Sequence, residues 1–348
     1  MPRRAGDEPA RPARIADVAA LAGVSPSLVS RLLNGDSRLQ IRDDTRRSIE
    51  QAVRDLGYVA NSTAKALRGA RTGTLGLVLE HVTSPMFTEI VHGAQRAASE
   101  AGVVLLLIDA ADARVGSEHF VDMIRSRRVD GLLLQGGYEP DDALLEYAEL
   151  IPSVTINSTG TAKAGGVRLQ DDDAAELATR HLIELGHRVL AFVAGDSGGS
   201  SSERRGQGFR RAVRRLGGRS TRSRMIGAGW ELEESRAAVA RVLDRPKRPT
   251  GYVVANSGEA VGVLAALHEH GLRVPRDASV IGIHDTWFAP HLTPALSTVK
   301  LPQVELGRRS VTALLERIDG GPPREVLIDD PAPLLIARKS TGPAPTSS

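Results

Sequence analysis

The sequence predicts a small all-α head followed by a large α/β core made of two doubly wound parallel-sheet subdomains. Up to about residue 71, apolar residues recur at helical spacing, whereas from Thr74 onward short continuous apolar runs alternate with amphipathic helices. Continuous apolar runs indicate strands covered on both faces, as in parallel sheets whose strands are joined by helices. At 348 residues the chain is also too long for one compact core.

Residues 15–34 have the spacing of two short helices joined by a tight turn. Gly23 ends the first helix, Ser25 is a good N-cap for the second, and Pro26 suits its first position. The apolar face of the first helix consists of Ile15, Val18, Ala19 and Ala22. The outward face of the second helix consists of Ser27, Ser30, Arg31 and Asn34. This pattern predicts a helix-turn-helix whose exposed side chains can reach base edges and phosphates.

Two further segments complete the head. A third helix is expected from Thr45 to Leu56, with Gly57 ending it. Residues 61–69 contain good helix formers, but fewer than two turns of helix are not stable alone in water. We expect this segment to order only against a partner and therefore to act as a switchable linker.

Positive charge is concentrated in the head. Residues 1–71 contain 13 Lys and Arg against 8 Asp and Glu, whereas the remaining 277 residues contain 32 against 34. A helix-turn-helix pattern alone could equally be an ordinary helical hairpin. The localised positive charge favours a module that binds a polyanion such as DNA.

The core pattern falls into two series. The first series has strands at 75–80, 103–108, 130–135 and 152–157, with helices near 87–101 and 117–127. The second series has helices at 172–185, 203–216, 232–243 and 258–271, with strands at 188–195, 251–256 and 279–285. Parallel sheets place ligands at the carboxyl ends of their strands, so the two subdomains should share a binding cleft.

Composition and motifs weigh against other classes of protein. The chain has no cysteine, no apolar stretch after Arg3 and Arg4, and no apolar run of membrane-spanning length, so we expect a cytoplasmic protein without membrane contact. A free solute-binding protein would need an export signal. A nucleotide-processing or hydrolytic enzyme would show a phosphate loop or a nucleophile elbow. Asp171–Asp173 is interpreted as a helix start and His181 with His187 as a structural turn, so no catalytic residue, metal or cofactor is predicted.

Several motifs in this order resemble the lactose-repressor/galactose-repressor (LacI/GalR) family. They are DVAALAGVSPSLVSRLLN (17–34), GYVANSTAKALR (57–68), SPMF (84–87), HLIELGHR (181–188), RGQGF (205–209) and LTPALSTV (292–299). The resemblance implies a homodimeric repressor on a palindromic operator, with hinge helices paired in the minor groove. It also implies a core like periplasmic sugar-binding proteins, with a sugar or sugar derivative as effector in the cleft.

The resemblance also implies domain boundaries. Disordered ends are expected at 1–13 and 342–348, the helix-turn-helix domain at 14–60, the hinge at 61–71 and the core at 72–341. Within the core, the N-subdomain comprises about 74–171 and 301–328, and the C-subdomain about 172–300 and 329–341.

Site residues follow from the same matches. The expected DNA contacts are Arg14, Ser25, Pro26, Ser27, Ser30, Arg31, Asn34, Asn61, Ala64, Leu67 and Arg68, with Leu67 as the wedge in the central base step. The expected effector contacts are Met86, Phe87, Asn157, Arg205, Asn256, His284, Asp285 and Trp287, with either Phe87 or Trp287 stacking on the effector.

Several positions depart from the family pattern, among them Leu28 in place of a Thr in the reading helix and Ser257 in place of an Asp after Asn256. Arg14 replaces a Thr that would cap the first helix, whereas Asn157 and His284 stand where Asp is usual. Replacing two carboxylates weakens the case for an ordinary neutral sugar. An unperturbed imidazole at His284 would titrate between about pH 5 and 8.

Overall fold

The fold is described from a computed structural model. It covers residues 13–33, 39–58, 71–80, 82–113, 118–135, 143–195, 200–229, 231–245 and 247–345. The chain divides into two compact units, Met1–Thr72 and Gly73–Ser348. Each unit is described by itself.

The described part of the head contains three helices, α1 (Ile15–Ala22), α2 (Pro26–Leu33) and α3 (Asp43–Asp55). The axes of α1 and α2 differ by 107°, within the range of a helix-turn-helix. Gly23 takes the left-handed conformation at φ 68°, and the Ser25 Oγ accepts a hydrogen bond from the Leu28 N–H at 3.2 Å. The predicted turn and cap are therefore confirmed. The small core of the head is built on the fully buried Val18, Val29 and Ile49.

In the second unit, each of two sheets has six strands within the described residues. The first sheet has the order β11-β5-β4-β3-β1-β2, and its strands are all parallel. Its strands are β1 (Thr74–Leu79), β2 (Val104–Asp109), β3 (Gly131–Gln135), β4 (Ser153–Ile156), β5 (Gly165–Leu169) and β11 (Glu325–Ile328). The helices of this subdomain are α4 (Thr88–Glu100), α5 (Ala110–Ala113), α6 (Glu118–Arg125) and α11 (Gln303–Ile318).

The second sheet has the order β12-β10-β9-β8-β6-β7, and only its β12–β10 pair is antiparallel in the described chain. Its strands are β6 (Val189–Gly195), β7 (Arg222–Ala228), β8 (Gly251–Val254), β9 (Ser279–Ile283), β10 (Ser297–Lys300) and β12 (Leu334–Ile336). The helices of this subdomain are α7 (Asp171–Glu184), α8 (Ser200–Leu216), α9 (Leu232–Leu243) and α10 (Ser257–Glu269). Short 3₁₀ turns lie at Pro85–Phe87, Ala143–Glu149 and Ala289–His291.

Three described segments connect the two sheets. The chain leaves the first sheet at Gln170, returns through residues 301–302 and leaves again through residues 329–333. One continuous apolar core contains side chains from both sheets, including Leu77 and Phe192. The two subdomains are therefore packed together at these connections, with the carboxyl ends of β4 and β9 available to form a site.

The end of the chain differs from the prediction of a disordered tail starting at residue 342. The Gly342 N–H donates to Ser279 Oγ at 3.0 Å, and the Ala344 N–H donates to the Leu185 carbonyl at 2.8 Å. The buried His187 ring also contacts Ser279 Oγ at 2.9 Å, which supports its structural interpretation. Gly342 and Ala344 therefore belong to the folded second unit, because Ser279 and Leu185 of that unit accept hydrogen bonds from their backbone N–H groups.

None of the described helices is by itself long and apolar enough to cross a membrane, although α1 and α2 taken together have sufficient length and apolar composition. In the described part of the chain, no group of three or more His, Cys, Asp or Glu side chains is arranged to hold a metal ion.

Candidate DNA-binding face and effector site

Helix α2 presents the polar face predicted from its spacing. Val29 is fully buried, whereas Ser25, Pro26, Ser27 and Arg31 are exposed. The remaining predicted contact of this helix is Ser30, which is partly buried. An apolar inner side and an exposed polar outer side are what a reading helix requires.

Arg14 is the N-cap residue that precedes α1, but its side chain makes no cap hydrogen bond. A guanidinium has no acceptor atom for the free N–H groups of the first turn. Instead, the Asp17 carboxylate accepts a hydrogen bond from the Arg14 backbone N–H at 2.8 Å. Asp17 therefore supplies the cap interaction, and the exposed Arg14 side chain is available for another role.

Five other predicted DNA contacts lie outside the described residues. They are Asn34, Asn61, Ala64, Leu67 and Arg68, and most of the predicted hinge lies outside as well. Their roles remain predictions, as does the disorder expected for residues 1–12.

Arg205 lies at the centre of a buried polar network in the core. Its side chain is held by three neighbours: Nε donates to Asp171 Oδ1 at 2.8 Å, Nη1 donates to the Ala255 carbonyl at 2.6 Å, and Nη2 lies 2.8 Å from His284 Nε2. The sequence predicts an effector contact for Arg205. In the structure a carboxylate of the chain itself, Asp171, takes that place.

Asp171 is the residue of this network that sequence reasoning missed. It is fully buried, and its second oxygen accepts from Arg204 Nη2 at 2.5 Å. Burial by itself would raise the pKa of Asp171, but the attraction of Arg205 and Arg204 outweighs burial and lowers it. Asp171 is therefore an ionised, buried carboxylate shared between two arginines.

His284 is held in one tautomer by Arg205. Because the guanidinium can only donate, His284 Nε2 must accept, and the ring proton lies on Nδ1. The residue is 5% exposed and takes a left-handed backbone at φ 70°. Burial and, second, the charge of Arg205 lower the pKa of His284 to about 3. Unlike an unperturbed imidazole, the ring is therefore neutral between pH 5 and 8 in this structure.

Comparison with known proteins identifies the class of this head and core. Residues 14–61 match the bacterial regulatory proteins of the lacI family, and residues 179–341 match a periplasmic binding protein-like domain. The chain is 31% identical over 333 residues to the HTH-type transcriptional repressor PurR of Haemophilus influenzae, covering 94% of this chain and 98% of that one.

The chain belongs to the LacI family. It is a DNA-binding transcriptional regulator of the repressor type, and not an enzyme. Among solved structures it resembles a lac repressor dimer bound to operator and the anti-inducer ONPF, with 26% identity, 95% and 100% coverage and a TM-score of 0.78. It also resembles the transcriptional regulator CelR in complex with cellobiose, with 28% identity, 94% and 99% coverage and a TM-score of 0.70.

In this LacI-family protein, two of the predicted effector contacts already have local partners. The Asn256 side chain caps α10 by accepting from the Glu259 N–H at 2.8 Å. Asn157 has a left-handed backbone at φ 51°, and its Oδ1 accepts from the Leu169 N–H at 3.1 Å. Asn157 also accepts from Arg204, which joins it to the Asp171 network.

The other predicted effector contacts are distributed more widely. Asp285 hydrogen-bonds Thr298 and forms an ion pair with Arg338 at 2.7 Å, so its bonds go to residues outside the Arg205 network. Trp287 is 69% exposed and meets Phe288 edge to face. Neither residue is brought into the network that holds Arg205 and His284.

Met86 and Phe87 belong to a short turn of the first subdomain. The Met86 carbonyl accepts from Gln303 Nε2 at 3.0 Å, and Phe87 packs against the main apolar core. A Cβ added to Gly258 would lie 4.0 Å from Met86 Sδ. This turn therefore reaches the first turn of α10 in the second subdomain.

Glu259 is a second buried acid that the sequence did not single out. It is fully buried at the start of α10, and neither carboxyl oxygen has a hydrogen-bond partner among the described residues. Burial raises its pKa well above the ordinary value, although Arg205 partly opposes this. The pKa of Glu259 is thus shifted in the opposite direction to that of Asp171.

Proposed function

We propose that this protein is a homodimeric repressor that binds a palindromic operator and responds to a small polar effector in the core. The observation that carries the DNA-binding part is helix α2, capped by Ser25 and exposing Ser27 and Arg31 above a buried Val29. The operator-bound lac repressor dimer, to which the chain is similar over 95% of its length, supports the mode of binding.

The outer edges of the two sheets support the homodimer. Strand β2 is the last strand of the first sheet and exposes Val104 (63%) and Leu106 (41%), whereas β7 is the last strand of the second sheet and exposes Met225 (46%). An exposed apolar edge strand such as β2 favours pairing with a partner in solution. Concave surfaces of about 570 and 200 Å³ border β7, where side chains from a second copy could insert.

Symmetry connects the dimer to the shape of the operator. Two identical heads related by a two-fold axis contact two identical half-sites, so the preferred DNA should be a palindrome. The effector part of the proposal rests on Arg205 and His284, which the fold brings together beside Ala255. A polar effector would compete with Asp171 or His284 for the Arg205 guanidinium, and cellobiose in the similar CelR complex supports a carbohydrate or derivative.

The proposal is tested by selecting duplexes from a random library with the full chain. We expect an enriched palindrome, and reversing one of its half-sites should lower affinity by at least ten-fold. Enrichment of a single half-site bound by a monomer would contradict the dimeric mode. No sequence enrichment at all would contradict specific DNA recognition.

A further inference from the structure

Arg204, next to the expected effector residue, has hydrogen-bonding capacity that the protein does not use. Its side chain is 12% exposed. Nη2 donates to Asp171 and to Asn157, whereas Nε and Nη1 are shielded from solvent and have no acceptor in the described parts of the chain. Leaving shielded N–H groups of a charged side chain unpaired is unfavourable, so their acceptor is expected to come from a ligand.

The charges of this network do not balance. Arg204 and Arg205 face one ionised carboxylate, Asp171, at 2.5 and 2.7 Å. His284 adds no charge, because burial and the charge of Arg205 lower its pKa to about 3. Glu259 is buried with a raised pKa, and its carboxyl oxygens bond neither arginine among the described residues. One positive charge is therefore left uncompensated in a largely buried place, which favours binding of an anion.

The acids that follow Asp171 on α7 do not supply the missing charge. Asp172 and Asp173 form ion pairs with Arg211 at 2.8 and 2.7 Å, and Glu176 bonds the same arginine together with Arg215. Their side chains face the surface of α8, and their charge is already paired.

A second unused donor belongs to the same network. His284 Nε2 is occupied by Arg205, whereas Nδ1 carries the proton and has no partner among the residues that the structure describes. Two more buried atoms have no partner among the described residues. They are Oε1 of Gln170, which precedes Asp171, and Oγ1 of Thr286, two residues after His284. Unpaired polar atoms in this number indicate a site built to receive a polar ligand.

Arg204 also joins the two subdomains. It lies on α8 of the second subdomain and donates to Asn157, which follows β4 of the first. A ligand group bound to Arg204 would therefore act at the contact between the subdomains, where an effector can bias their relative arrangement.

We propose that the effector carries an anionic group, a carboxylate or a phosphate, that pairs with the unused N–H groups of Arg204. This inference rests on the proposed function, because it names the chemical class of the effector of that site. The unpaired Nε and Nη1 of Arg204 lie on different edges of the guanidinium, and each can donate to an oxygen of a carboxylate or a phosphate.

The test compares neutral and anionic forms of the same sugar on the full chain. The probes are glucose, gluconate and glucose 6-phosphate, and ribose, ribonate and ribose 5-phosphate, with inorganic phosphate alone as a further arm. We expect at least one acid or phosphate to raise the melting temperature and to bind at least ten-fold more tightly than its neutral parent by calorimetry. The acid and phosphate arms distinguish the two oxyanions.

Variants assign the binding to Arg204. Arg204→Gln should weaken binding of the anionic probe by at least ten-fold, and Arg204→Lys should recover part of it, because the charge returns without the planar fork. Arg214→Gln, at an exposed position on the same helix, is the matched control and should bind normally. If Arg204→Gln does not fold, Arg204→Lys is the test by itself. Its affinity for the anionic probe should then be lower than that of the wild type but still measurable.

Three results would overturn the proposal: tighter binding of a neutral sugar than of its anionic forms, an unchanged affinity in Arg204→Gln, or no binding of any anionic probe. None of these would contradict operator recognition, which is measured separately on DNA without any probe. A loss of operator binding with normal anion binding would instead contradict the proposed function.

Discussion

Replacement of Asp171 by Ala should destabilise the core more than any comparable surface change. Asp171 is fully buried and pairs with two arginines, Arg205 at 2.7 Å and Arg204 at 2.5 Å. Removing one partner of a buried ion pair typically costs about 3–5 kcal/mol, because the remaining charge stays buried and unpaired. In a unit of this size that corresponds to a fall in melting temperature of roughly 6–20 °C.

The assay is urea unfolding of the full chain at pH 7, with Asp173→Ala as the matched control. Asp173 lies on the same turn of helix and pairs with Arg211 at 2.7 Å, but its side chain is 49% exposed. An exposed pair contributes about 0–1 kcal/mol. A loss in Asp171→Ala no larger than in Asp173→Ala would refute the assignment of Asp171 as the charge that holds both arginines.

The pH dependence gives an independent check of the same assignment. The pKa of Asp171 is lower in the folded state than its ordinary value, so the stabilisation is present above the unfolded-state pKa and is lost as the pH falls through the folded-state pKa. The stability difference between the wild type and Asp171→Asn should therefore be constant near neutral pH and shrink below about pH 4.

The remaining predictions concern a second buried acid, the dimer and the hinge. Glu259 has a raised folded-state pKa, so its contribution is present at low pH and is lost as the pH rises; Glu259→Gln should gain stability relative to the wild type in urea titrations as the pH rises above 4.5, the ordinary pKa, and a constant difference would contradict this. Leu106→Glu on β2 should lower the sedimentation mass toward that of a monomer, whereas Leu327→Glu, equally exposed at 42% on the opposite edge of the same sheet, should not; a dimer that survives Leu106→Glu would exclude this edge. Leu67→Ala should weaken operator binding and DNA bending while leaving the melting temperature of the core unchanged, and normal bending would remove the wedge role.

Much of the fold could be predicted from the sequence because most elements carry their own periodicity. The helix-turn-helix shows this best, since the apolar spacing of α1 and the Ser25–Pro26 cap are local signals. The helix α9 (Leu232–Leu243) was likewise predicted with its observed limits.

The elements that were missed depend on distant pairing. Strand β5 begins with Gly165 and Gly166, which disfavour a strand locally, and it forms between β4 and β11. Strand β7 carries Arg222 and Arg224, because it is an edge strand and need not be apolar on both faces. Long-range hydrogen bonds fix both strands, and no local pattern reports such bonds.

The site was predicted in part for a similar reason. Arg205 and His284 were singled out, and the structure brings them within 2.8 Å of each other. Asp171 was missed because three consecutive acids at a helix start are explained by the helix dipole, and only the tertiary fold decides which of them is buried. Trp287 was favoured as a stacking surface by its residue type, but the structure leaves its ring 69% exposed.

The most direct test of the central claim is the affinity of the full chain for its selected operator against a scrambled duplex of equal length, measured by fluorescence anisotropy at about 0.15 M salt. Specific recognition predicts an operator affinity at least about a thousand-fold higher than that for the scrambled duplex. Arg31→Ala, which removes an exposed cation from the reading face of α2, should lower the operator affinity by about ten-fold or more. Equal affinity for the two duplexes would contradict the account.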